Sequence, residues 1–92
     1  MERKQVYKLI DGERKYQDTK WNETTTTSKG IHTIEEWITY MEDYLSEAKH
    51  IVSREARQTA DPKAMDIIRK VTAMGVAAME QIDTPARIKT KK

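Results

Sequence analysis

Apolar positions recur at helical spacing along most of the chain, and three segments follow from where that spacing starts and stops. Between Arg3 and Gln17, Val6, Leu9, Ile10 and Tyr16 stand among charged residues, a short amphipathic pattern weakened by Gly12. It predicts a first helix that, with the Gln17-Asp18-Thr19-Lys20-Trp21 segment, occupies residues 1–21. Residues 22–32 carry no period and few apolar groups, which predicts a polar loop. Thr33-Ile34-Glu35-Glu36 has the form of a capping box: the Thr33 hydroxyl accepts from the Glu36 amide, and the Glu36 carboxylate reaches back. A second helix over 33–60 is expected, with Ile34, Trp37, Ile38, Met41, Leu45, Ala48 and Val52 on one face that persists to about Ala56. Such a helix is about 35 Å long.

Asp61-Pro62 then supplies an N-cap and a first-turn proline, so a third helix is expected over 61–83, folded back antiparallel to the second. From Val71 to Met79 this segment is apolar or small on nearly every side, and a helix apolar all round needs cover all round. One hairpin partner and a short first helix fall short of that cover. A second subunit is therefore expected, with Ala73, Gly75, Ala77 and Ala78 permitting close approach. Beyond Thr84-Pro85, residues 84–92 form a basic tail without period, expected to fray. The fold class is thus a single all-α domain: a short N-terminal helix, a polar loop and a long helical hairpin, assembled as an oligomeric bundle.

Composition narrows this picture. The chain has 92 residues, 37% of them hydrophobic, enough for one small domain with a thin core. It has no cysteine, which excludes disulfides and thiolate metal sites and leaves helix packing, oligomerisation or a ligand to stabilise it. No run approaches the roughly 18 apolar residues of a membrane span, and the N-terminus leads into no signal-like stretch. A soluble, cytoplasmic protein without a membrane partner is expected. The formal net charge is +2 with 35% charged residues, a mixed surface that does not suggest duplex nucleic acid.

Chemistry concentrates first in Glu13-Arg14-Lys15-Tyr16-Gln17-Asp18-Thr19-Lys20-Trp21, where charges, an amide and two aromatic rings crowd the exit of the first helix. Aromatic and cationic groups together suit a nucleotide, the ring stacking on a base while Arg14 and Lys20 pair with phosphates. The alternative is that Trp21 caps the edge of the core and the charges face water. His32 is either a ligand contact or an ordinary surface histidine. Tyr40 and Tyr44, four apart, either line a pocket or border the core. Glu47-Ala48-Lys49-His50 has the spacing that puts two metal ligands on one helix face, but di-iron bundles need two such motifs and two further carboxylates.

The run Glu13-Arg14-x-x-Gln17-Asp18-x-Lys20-Trp21, followed by a polar loop, His32 and Glu36-Trp37, resembles the opening of small phage-encoded MazG-like proteins. Ile68-Arg69-Lys70-Val71-x-Ala73-x-Gly75-Val76-Ala77-Ala78-Met79-Glu80 is similar to their last helix, so the resemblance spans residues 7–87. It implies an all-α fold, oligomeric assembly and a nucleotide pocket between helices, in a phage or prophage setting and hence in the host cytoplasm. The pyrophosphohydrolases among these proteins hold magnesium on an E-x-x-E pair and an E-x-x-D pair, because magnesium prefers oxygen ligands in near-octahedral geometry. This chain departs from that pattern. Its second helix has no E-x-x-E, Glu80-Gln81-Ile82-Asp83 falls at the last turn, and Arg69-Lys70-Val71-Thr72 stands where the acids belong.

Arg69 and Lys70 can bind a phosphate without a metal and without activating water. Equally, they can form salt bridges to Asp66, or to Asp43 and Glu47. The leading expectation is a phage-type nucleotide-binding protein without catalysis or cofactor, sequestering a nucleotide immune signal of cyclic-nucleotide or ADP-ribose type to counter host defence. Its expected ligand contacts are Arg14, Gln17, Asp18, Lys20, Trp21, His32, Trp37, Tyr40, Tyr44, Arg69 and Lys70. A first alternative is a magnesium-dependent nucleoside triphosphate pyrophosphohydrolase of MazG type using Asp43, Glu47 and Glu80. A second is an oligomeric protein-interaction module.

Overall fold

The computed structural model describes residues 1–21 and 30–87, so most of the polar loop, with Thr24 to Thr27, and the end of the basic tail lie outside the described residues. The described residues are all-helical: α1 is Arg3–Lys20, α2 is Ile34–Arg54 and α3 is Arg57–Gln81. Glu2 and Gln5 form a capping box at the start of α1, the Glu2 amide donating to Gln5 Oε1 at 2.7 Å. Thr33 and Glu36 form the predicted one at the start of α2, at 2.9 and 3.2 Å. The Glu36 carboxylate is held below the ordinary glutamate range, chiefly by its hydrogen bond from the Thr33 amide.

Both α1 and α2 pack on α3, and their backbones do not come together. At one end Trp37 of α2 packs on Met74 and Ala77 of α3; at the other Ala48 packs on Ala64 and Ile67. Eight buried apolar residues make up this core, five of them alanine: Ala48, Ala60, Ala64, Ala73 and Ala77. Alanine lets helices approach closely but buries little area, so the core is thin and Trp37, 2% exposed, is its one large fully buried side chain. No described helix is long and apolar enough to cross a membrane.

Three expectations need correction or refinement. The turn between α2 and α3 falls at Glu55-Ala56 rather than at Asp61-Pro62, and Ala56 is the N-cap of α3. Thr59 Oγ1 donates to the Ala56 carbonyl at 3.0 Å, and Lys63 pairs with Glu55 across the turn at 2.8 Å. Pro62 therefore lies inside α3, where it gives the Gln58 carbonyl no donor; both residues are exposed, so water can serve that carbonyl. Second, the apolar positions of α1 make no core-facing stripe: Val6, Leu9 and Tyr16 are exposed, and the buried residue of this helix is Gln17. Third, α1 and α2 cover only part of the apolar surface of α3: Ala73 and Ala77 are fully buried within one chain, while Met65, Ile68 and Met79 stay exposed. The apolar face of α2 divides likewise, Trp37, Met41 and Ala48 turning to the core while Ile34, Ile38, Leu45 and Val52 stay exposed.

Candidate functional site

Because α1 and α2 meet α3 but not each other, a groove opens between them with α3 as its floor. Its volume is about 280 Å³, at the small end for ligand sites. Glu13, Tyr16, Gln17, Lys20 and Trp21 of α1 and its C-cap form one wall, Tyr44 of α2 the other, and Lys70 and Met74 of α3 the floor. The mixture is three aromatic rings, two ammonium groups, a carboxylate, a thioether and a buried amide, groups that can stack on a planar ring and pair with an anion.

Gln17 is 5% exposed. Its Nε2 donates to the backbone carbonyl of Lys70 at 3.0 Å, which fixes the amide across the α1–α3 interface. Its Oε1 is buried and accepts no hydrogen bond from the protein. A buried acceptor without a donor costs about 1–3 kcal/mol, and here it belongs to a residue that lines the groove. Lys20 lies over the Tyr16 ring at 5.5 Å, and Lys70 is shared with Asp66 at 3.3 Å. Lys70 is therefore not a bare cation: an anion entering the groove would have to compete with the Asp66 carboxylate for it.

Ion pairs hold the frame around this groove. Arg69 donates to Glu13 at 2.8 Å and also pairs with Asp66. Its pKa is raised, first by the hydrogen bond to Glu13. Asp66 is desolvated, which raises its pKa, but hydrogen bonds from Lys70 and Arg69 outweigh this and hold it below the ordinary aspartate range. Arg14 joins Asp18 and Glu80, both at 2.7 Å, tying α1 to the end of α3. Burial works against the Arg14 charge, and the bonds to Glu80 and Asp18 more than offset it, so its pKa is raised.

Of the residues expected from sequence, Gln17, Lys20, Trp21, Tyr44 and Lys70 come together in the groove. Arg14, Asp18 and Arg69 are not part of its lining; their charges are taken up in the ion pairs above. His32, Trp37 and Tyr40 form a separate aromatic cluster, His32 lying edge-on to both rings at 5.0 Å. Trp37 is a core residue whose Nε1 donates to Gln81 Oε1 at 3.0 Å, while Trp21 bridges the two groups, 5.7 Å from Trp37. Asp43 and Glu47 line a shallow surface groove with His50 and Arg54, apart from Glu80, which Arg14 holds. Those three acids do not converge, and among the described residues no three of Asp, Glu and His are grouped to hold a metal ion. For Arg69 and Lys70 the salt-bridge alternative holds with Asp66, not with Asp43 or Glu47.

Met74 and Gln81 were not signalled as site residues. Met74 follows Lys70 by one helical turn and shares its face, a spacing that could have flagged it. Gln81 accepts from the His32 amide at 3.1 Å and donates to the Gly30 carbonyl at 2.6 Å, so it pins the returning chain. Gly30 there has φ +78° and sits so close to Trp21 that an added Cβ would lie 3.1 Å from the Trp21 Cβ. The two described ends of the polar loop thus touch beside the groove. Comparison with known proteins finds no matching family model, no matching curated relative and no matching solved structure.

Proposed function

We propose that this chain is a small self-associating protein that binds a nucleotide-like ligand in the α1–α2 groove and leaves it chemically intact. The observation that carries the reading is the unpaired Gln17 Oε1, buried in a residue that lines one groove with Tyr16, Trp21, Tyr44, Lys20 and Lys70. An aromatic ring packs on the base, the lysines meet phosphate, and a base amino group or a ribose hydroxyl donates to Oε1 once the side chains covering it part. The motif resemblance to MazG-like phage proteins supports the same ligand class. Binding without turnover is supported by the separation of Asp43 and Glu47 from Glu80 and by the basic pair Arg69-Lys70 where acids would stand. In a phage setting such a protein counters host defence by sequestering a nucleotide signal. Self-association is supported by the apolar side chains left open on α2 and α3.

The test is mass spectrometry of the natively purified protein and of the supernatant after denaturation, beside incubation with a nucleotide panel with and without magnesium. An intact nucleotide bound stoichiometrically, and lost in Gln17→Met, is expected. Magnesium-dependent conversion of a triphosphate to a monophosphate would overturn the non-catalytic reading, and no binding to any panel member would leave the groove without this role.

A further inference from the structure

Outside the groove lining, α2 and α3 each leave a set of apolar side chains exposed. On α2, Ile38, Leu45 and Val52 recur every seven residues, with Ile34 one turn earlier, and each is about half exposed. Met65, Ile68 and Met79 are similarly exposed on α3, and a Cβ added at Gly75 would meet nothing. The two sets adjoin, since Ile34, Ile38 and Met79 line one shallow apolar groove. Repetition every seven residues is the pattern of a helix that packs along another helix.

We infer that a second copy of this chain covers this face, with α2 lying antiparallel to α2 of that copy about a two-fold axis at Leu45. The pattern is self-complementary about that point. Antiparallel pairing centred there sets Leu45 on Leu45 of the second copy, Ile38 opposite Val52, and Glu42 beside Lys49, each off-axis contact occurring twice as a two-fold interface requires. Glu42 and Lys49 flank the apolar stripe, both are exposed, and among the described residues neither has an ion-pair partner within the chain. A patch about 30 Å long and two helices wide covers about 600 Å² per chain. Two such patches bury about 1,200 Å², the lower bound for a specific stable interface. The inference deepens the self-association part of the proposed function and uses none of the residues that line the groove.

Because the chain has no cysteine, single-cysteine variants report the interface directly. Leu45→Cys is treated with a short bis-maleimide, alongside light scattering of the wild type over a concentration series and a charge-swap cycle at Glu42 and Lys49. Expected are a dimer mass, a covalent Leu45→Cys dimer, and self-association weakened about tenfold by Glu42→Lys or Lys49→Glu alone and restored by both together. Circular dichroism confirms that each variant stays helical. A wild-type monomer at all concentrations overturns self-association altogether. A wild-type oligomer in which Leu45→Cys does not cross-link and the charge swaps have no effect overturns this interface alone.

Discussion

Gln17 reaches across from α1 to donate its amide proton to the carbonyl of Lys70, 3.0 Å away, and in doing so leaves its own oxygen buried and unpaired. One hydrogen bond positions the other half of the amide. Replacing a half-satisfied buried amide with an apolar group of similar length is close to neutral for stability, because the lost bond is offset by the removed desolvation penalty. Gln17→Met should therefore unfold within about 1 kcal/mol of wild type in urea while losing nucleotide binding measured by calorimetry. Unchanged affinity in a folded Gln17→Met would remove Oε1 from the site.

The helical elements are legible because their signals are local: the Thr33–Glu36 box and the three-and-four spacing of Ile34, Trp37, Ile38, Met41, Leu45, Ala48 and Val52 do not depend on the rest of the chain. The α2–α3 turn was misplaced because Asp61-Pro62 is the stronger local signal, whereas the Glu55–Lys63 pair that closes the true turn spans eight positions. At the site, Gln17, Lys20 and Trp21 share one segment and could be read together. That Lys70, Met74 and Tyr44 face them depends on how α1 lies across α3, which no spacing within one helix encodes. For the same reason Arg14 and Arg69 read as ligand groups until Glu80 and Glu13 arrive from another helix.

The glycines separate local propensity from tertiary fit. Gly12 lies inside α1 with nothing near an added Cβ, so Gly12→Ala should stabilise the protein by about 0.5–1 kcal/mol through helix propensity. Gly30 has φ +78° and stands against Trp21, so Gly30→Ala should destabilise it by about 1 kcal/mol or more. Thermal unfolding of both variants followed by circular dichroism should shift the midpoint up in the first and down in the second.

The Arg69–Glu13 bond predicts an asymmetry. The Glu13 side chain is 9% exposed, whereas that of Arg69 is 37% exposed. Removing Arg69 strands a carboxylate away from water, while removing the Glu13 charge leaves a guanidinium still paired with Asp66. Arg69→Met should cost about 2 kcal/mol, and Glu13→Gln clearly less. Urea midpoints of the two variants and of the double variant, which should recover part of the Arg69→Met loss, measure the coupling.

Acid should act through Asp66. Its pKa in the folded chain lies below the ordinary aspartate value because hydrogen bonds from Lys70 and Arg69 overcome its desolvation. A folded-state pKa below the unfolded one means that the folded state binds protons less readily. The stabilisation from Asp66 is then fully present above the ordinary aspartate range and is lost as pH falls through the folded-state value. The Asp66 side chain is only half-buried, so screening keeps this contribution small and salt should reduce it. In a series of urea midpoints from neutral to acid pH, wild type should lose stability through the carboxylate range more steeply than Asp66→Asn. Protonation also frees Lys70, so a phosphate-bearing ligand that competes with Asp66 should bind Asp66→Asn more tightly than wild type at neutral pH. A variant that binds such a ligand no better would show that Lys70 does not receive the phosphate.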